Sequence, residues 1–177
     1  MGPEVMGPEE IGSLLIRIAL ALLVFDGVWG SCRDVVSRHG VAADAALLFK
    51  WQPKLVAFAG LALAAAGAVS ILLGIFPRLG ALALTVFFVP AAMIHFAKQM
   101  QATKLERQIM PAVRSDSAAR DALAALTASA KLGNYTAGLK NLSLLGATLY
   151  LLVAGARPPM LIGFGADWQL HGLLLLL

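Results

Sequence analysis

Apolar and polar positions along this chain change over on a scale of about twenty residues, the period of membrane spans rather than of an amphipathic helix or strand. No Asp, Glu, Lys or Arg falls within residues 55–77 or 79–97. Each run is close to the roughly 20 residues that an α-helix needs to cross about 30 Å of hydrocarbon. Pro77-Arg78, set between them in "LLGIFPRLGALAL", reads as the tip of a helical hairpin. A bilayer interior cannot hydrogen-bond open backbone, so the chain reverses where water or headgroups can, and an arginine holds that point at the interface. Residues 11–30, apolar apart from Arg17 and Asp26, form another span, and "LSLLGATLYLLVAGA" forms a fourth once residues 139–141 join it. The pattern predicts an all-α fold in one domain: a polytopic membrane four-helix bundle with spans over 11–30, 55–76, 79–97 and 139–156.

Two of the segments outside the spans have features of their own. In the loop 98–138, "KQMQATKLERQIM" continues the third helix out of the membrane and Pro111 stops it. "SDSAARDALAALTASAK" is then expected as a separate interfacial helix capped by Ser115. Its apolar face is mostly alanine, which binds lipid weakly, so it is expected to pack on this protein or a neighbour rather than to sense the membrane. Residues 157–177 are long enough to span but are interrupted by two prolines, three glycines and Asp167; they read as an apolar tail on the membrane surface or against a partner.

Composition agrees with this pattern. Of 177 residues, 59% are hydrophobic and 14% charged, and the mean hydropathy of +0.80 is that of a membrane protein. The net charge of +4 is distributed unevenly. The side shared by both termini and the hairpin tip carries Arg78, Arg157 and, if it snorkels, Arg17, whereas the other carries Arg33, Arg38, Lys50, Lys54, Lys98, Lys104, Arg107, Arg114, Arg120, Lys131 and Lys140. That asymmetry predicts long basic loops on the cytoplasmic or matrix side and both termini opposite, in an energy-transducing membrane such as a bacterial or mitochondrial inner membrane. The charge is thus a topology signal, and no nucleic acid is implied as a partner. The acidic "MGPEVMGPEE" has neither the basic start of a secretory signal nor the arginines of a transit peptide, so the first span is expected to act as its own insertion signal. The single cysteine, Cys32, rules out an internal disulfide or a CxxC couple. Asn134-Tyr-Thr and Asn141-Leu-Ser match the glycosylation sequon but fall on the basic side, where they are expected to stay unused.

Polar and small residues inside the spans are the candidates for function. Gly60, Gly67 and Gly74 recur every seven residues with Ala64 and Ala68 between them, a helix-packing seam. Pro90 is expected to kink the third span. Asp26 and His95 each lie roughly 22 to 24 Å from the start of their spans, on the same side of the membrane. Equal depth makes them, with Lys140 and Asn141, a candidate polar cluster in which the carboxylate orients the imidazole and the lysine balances charge. Such a cluster serves either structure or a quinone or phospholipid headgroup. Arg17, nine residues from Asp26, is too far to pair with it. It is expected to snorkel towards Glu9, Glu10 or the headgroups, or to pair with another helix, leaving Arg17 and Arg78 as interfacial charges.

"LLIRIALALLVFDGVWG", "ILLGIFPRLGALAL", the His95 of "AAMIHFAK" and "LKNLSLLGATLYLLVAGA" follow in order the pattern of DoxX-like four-helix membrane proteins, so residues 14–156 resemble that family. The family glutamate of the second helix and the lysine after the first are missing: the corresponding stretches read "LALAAAGAV" and "VWGSCRDVV". The resemblance implies a four-helix fold and an association with quinone-linked oxidoreduction.

Three classes of function follow. A redox enzyme would need ligands that are scarce here: one intramembrane histidine, His95, cannot supply two axial haem ligands, one cysteine cannot hold an iron-sulfur cluster, and no metal site is expected. A small transporter would have one weak polar cluster and no evident internal repeat. A non-catalytic accessory subunit of a membrane electron-transfer complex of the respiratory type needs only a packed bundle, contact with membrane lipids and surfaces for a larger protein complex. The accessory reading ranks first, ahead of a DoxX-like quinone- or lipid-contacting subunit and a transporter, with bound quinone or phospholipid the only cofactors implied.

Overall fold

The computed structural model describes residues 7–154. The proposed tail, and the last residues of the fourth span, lie outside them. The described chain is five helices: α1 (Pro8–Cys32), α2 (Val35–Ala45), α3 (Pro53–Leu73), α4 (Pro77–Ile109) and α5 (Ser117–Ala154). Four of these, α1, α3, α4 and α5, are long and apolar enough to cross a membrane, and no more than 33% of the apolar window of any one is buried within the protein. The large apolar side chains left outside, among them Leu15, Leu22, Leu63, Leu82, Val86 and Leu149, have lipid as their natural solvent.

The four spans form a ring in the order α1, α3, α4, α5, closed by a light contact of α5 with α1. No Cα of α1 comes within 8 Å of one in α4, so these two helices lie on a diagonal. Leu20, Ala21 and Val24 of α1 meet Ala64, Ala68 and Ile71 of α3, Ala81, Leu84 and Phe88 of α4 and Leu151 of α5 in the core. Alanines dominate because no hydrophobic effect drives helices together in lipid, and small side chains permit close van der Waals contact.

The hairpin predicted at Pro77-Arg78 is present. α3 ends at Leu73, earlier than residue 76, because Gly74 takes a left-handed conformation (φ 74°) and its N–H closes the last turn on the Ser70 carbonyl. Phe76, also left-handed (φ 48°), then delivers Pro77 to the first position of α4. Ser70 Oγ donates to the Ile75 and Phe76 carbonyls and so ties the reversal to the end of α3. Arg78 is exposed at this tip, as an interfacial charge should be.

Between the first two spans, Asp34 accepts a hydrogen bond from the Ser37 N–H and starts α2, which buries Ala42 and Ala45. Two expectations about the other basic loop are corrected. The interfacial helix and the fourth span are not separate elements, since α5 runs unbroken for 38 residues. No proline interrupts residues 117–154. Gly138 does not break the helix but leaves room for the Phe96 ring, whose carbons would lie 2.8 Å from a Cβ there. The cap is Asp116, which accepts from the Ala119 N–H, and not Ser115. α4 does continue past the membrane and through Pro90 to Ile109. At about 1.5 Å per residue, α4 and α5 are about 50 and 57 Å long, so together they project an antiparallel arm roughly 20 Å beyond the bilayer.

Candidate functional site at the basic membrane face

Asp26, His95, Lys140 and Asn141 are not brought together. His95 is half-buried on α4, and its Nδ1 lies 3.3 Å from Asn134 Oδ1 on α5. Asp26 is exposed on α1, and among the described residues it makes no hydrogen bond or ion pair. Lys140 is exposed and Asn141 half-buried on α5, neither bonded to His95. The reason is helix order. α1 and α4 sit on the diagonal, which no count of residues along single spans reveals. Depth differs as well: Arg17, not residue 11, lies level with the end of α3, so Asp26 sits about two turns deeper in the bundle than His95.

Arg17 has the most defined environment of the intramembrane charges. It is 1% exposed, and it donates from Nε to the Ile71 carbonyl at 2.6 Å and from Nη2 to the Leu72 carbonyl at 3.0 Å. These are last-turn carbonyls of α3, which have no partner within the helix and carry its negative dipole end. Of the alternatives for Arg17, pairing with another helix is what the structure shows, and the partner is backbone. A side chain read as an anchor to headgroups is therefore a cap on a neighbouring span.

The glycine seam separates into three roles. At Gly67 a Cβ would lie 2.9 Å from the Gly80 carbonyl oxygen, and at Gly80 it would lie 2.6 Å from Ser70 Oγ and 2.8 Å from the Gly67 carbonyl oxygen. α3 and α4 thus cross backbone to backbone, a contact that only glycine permits. Gly60 faces the Phe87 ring at an ordinary 3.7 Å, and Gly74 belongs to the turn. Gly80 has no counterpart in the seven-residue pattern of α3. Its signal would have been its position three residues after the Pro77 that opens α4.

The arm beyond the membrane is tied by ion pairs that the sequence did not reveal. Lys98 Nζ meets Asp44 Oδ2 at 2.8 Å and fastens α4 to α2, and Lys131 pairs with Glu106 between α5 and α4. Phe96 and Tyr135 make a tilted ring contact between the same two helices, and deeper in the bundle Thr85 Oγ1 donates to Thr148 Oγ1 at 3.0 Å. His95–Asn134, Phe96–Tyr135 and Glu106–Lys131 all join α4 to α5, the last through two long side chains from residues further out along the arm. An open groove of about 420 Å³ runs along this stretch, lined by Lys98, Gln101, Lys104, Leu105, Gln108 and Asn134. The Lys104 ammonium and three amides above the apolar spans suit an anion such as a phosphate or an acidic side chain, while Lys98 is already paired with Asp44. Among the described residues no three His, Cys, Asp or Glu side chains converge on a point where a metal could sit.

Electrostatics outside the spans follow these contacts. The Lys131 hydrogen bond, with help from Thr127, holds the Glu106 carboxyl below the usual carboxylate range. The Asp34 carboxyl is lowered chiefly by the Ser37 N–H of its cap. A depressed folded value means that the Glu106 tie contributes fully above the carboxyl's ordinary value and is lost as pH falls through the folded one. Amide hydrogen exchange in the 100–110 and 125–135 segments, taken relative to its intrinsic rate at each pH, is therefore expected to quicken when pH drops below the ordinary carboxylate range. Glu106→Gln should show the faster exchange already at neutral pH and little further change; equal pH responses in both proteins would remove the ion pair from the account.

No protein-family model matches the chain, and no curated protein and no solved structure shows significant similarity to it.

Proposed function

We propose that this chain is a non-catalytic accessory subunit of a membrane complex, of the electron-transfer type that its DoxX-like sequence pattern suggests, in an energy-transducing membrane. The observation that carries the reading is the α4–α5 arm. It extends past the length of helix a bilayer requires and is braced by Lys98–Asp44 and Lys131–Glu106. It also leaves Leu105, Ile109 and Leu126 exposed on segments beyond the apolar spans, where lipid does not cover them. Stiff, apolar and flanked by lysine and arginine, the arm suits docking to the water-facing part of a larger assembly, with the basic loops on the cytoplasmic or matrix side.

Extraction of native membranes in a mild detergent should then recover the chain in a particle well above its own mass. Leu126→Asp with Leu105→Gln should release it while leaving its helix content unchanged. A wild-type chain that migrates only as a monomer, or as particles of itself alone, would end this reading.

A second reading, contact with a quinone or a phospholipid headgroup, draws on the groove beside His95 and Asn134. It places the ligand on α4 and α5 rather than at Asp26. Loss of co-purifying phospholipid in Lys98→Ala/Lys104→Ala, with the large particle intact, would favour it over docking.

A further inference from the structure

Asp26 is the anomaly of this structure. It lies in a membrane span, nine residues and about 13 Å along α1 from the level of the α3 C-terminus, and about one turn below exposed Trp29. The core side of α1 is marked by buried Ser13, Arg17, Leu20, Ala21 and Val24, and Asp26 points the opposite way. A carboxyl facing hydrocarbon is costly, and its side chain is too short to reach the headgroups from there.

The positions that share its direction are regular. Leu15, Ala19, Leu22, Asp26 and Trp29 are spaced four, three, four and three residues apart, and every one is exposed. That is the seam along which one helix packs on another in a left-handed pair. Gly27 and Gly30 flank Asp26 on the side towards the basic face, and the space where a Cβ would stand is open at both. α3 and α5 lie beside α1 in the ring and α2 packs at its end, yet no element of the described chain covers this seam.

We propose that the outer face of α1 is a self-association surface, on which Asp26 of one copy meets Asp26 of a second across a two-fold axis along the membrane normal. Such an axis carries every residue onto its twin at unchanged depth, and two-fold pairs are the commonest closed assemblies. The match in depth that a foreign helix would have to supply by coincidence is automatic here. The chemistry is self-complementary in the same way. Two carboxyls that hold one proton between them form a hydrogen bond in which one donates and the other accepts, replacing two isolated carboxylates in lipid. The proton comes from the aqueous phase as the pair assembles, and no other reactant is needed. Leu15, Leu22 and Trp29 pack on their twins, and small Ala19 within the seam and Gly30 at its edge, four residues after Asp26, let the backbones approach. The proposal does not depend on the accessory-subunit reading, since it is tested on the purified chain alone.

The experiment uses the full-length chain reconstituted in lipid vesicles, in a Cys32→Ser background. With mild oxidant, Leu22→Cys is expected to form a disulfide-linked dimer, and Leu82→Cys, exposed on α4 across the bundle, is expected not to. In parallel, subunit counting by single-molecule photobleaching at low protein-to-lipid ratio should show dimers for the parent. Asp26→Asn should keep them, because an amide also donates and accepts, and Asp26→Leu should weaken association by about tenfold. Asp26→Leu puts an apolar side chain against lipid and should fold, and unchanged helix content verifies this. If Leu22→Cys cross-links no faster than Leu82→Cys, or if Asp26→Leu pairs as well as the parent, the surface belongs to another occupant. A chain that stays monomeric at every ratio overturns the proposal outright.

Discussion

Arg17→Met is expected to cost about 3 kcal/mol of bundle stability, the largest effect of any single side-chain replacement in the spans. Methionine keeps much of the volume and the flexible stem but loses both hydrogen bonds to the α3 end, at 2.6 and 3.0 Å. The Ile71 and Leu72 carbonyls would then be left in a site from which water is excluded, where an unmet acceptor is expensive. Arg17→Lys should recover about half of the loss: an ammonium preserves the charge at the negative helix end but lacks the planar fork that reaches two carbonyls at once. Reversible unfolding in mixed micelles, followed by helix circular dichroism, gives both numbers. A methionine variant within about 0.5 kcal/mol of the parent would mean that the guanidinium does not cap α3.

The second large effect is expected at the crossing of α3 and α4, where alanine is already too big. Gly80→Ala should destabilise by about 2–3 kcal/mol and Gly67→Ala by about 1–2 kcal/mol, because each new methyl meets a backbone oxygen that cannot rotate away. Gly80 is the worse of the two, since its Cβ would also press on Ser70, whose hydroxyl holds the Ile75–Phe76 turn. Gly60→Ala tests the geometry from the other side. Its Cβ has an ordinary contact with Phe87, and alanine is the better helix former by up to about 1 kcal/mol, so this variant should be neutral or more stable. Equal losses at Gly60, Gly67 and Gly80 would show a general dependence on glycine and not a crossing point.

Gly60, Gly67 and Gly74 show how far the sequence could be read. Their heptad spacing pointed to a packing seam on α3, and one of the three proved to be the close contact. Spacing along one helix says which residues share a face, and it is silent on where the neighbouring helix crosses. The candidate polar cluster fell at the same step. Asp26 and His95 were placed at one depth by counting from assumed span starts, and the count missed because α1 begins at Pro8 and is offset so that Arg17 meets the end of α3. Asn134, the residue that His95 does meet, sat in the basic loop past the expected interfacial helix and was noted there only as a glycosylation sequon. Its partnership depends on the register of α5 against α4, which side chains 39 residues apart in the chain establish only on folding.

What the sequence determined by itself is the class of the protein: apolar runs of bilayer length, the reversal at Pro77-Arg78, the continuation of α4 to the Pro111 stop, and the crowding of lysine and arginine on one side. All are local properties of the chain or of its transfer between water and lipid, and a bilayer reads them span by span. The tertiary structure decided the rest: which helices are neighbours and which diagonal, that Arg17 caps α3, that Gly67 meets Gly80, and that Asp26 is left facing outward. In lipid the apolar faces of the spans are nearly interchangeable in solvation energy, so hydrophobic pattern cannot select among arrangements of the ring. Close steric fit and a few hydrogen bonds make that choice, and both exist only once the helices are side by side.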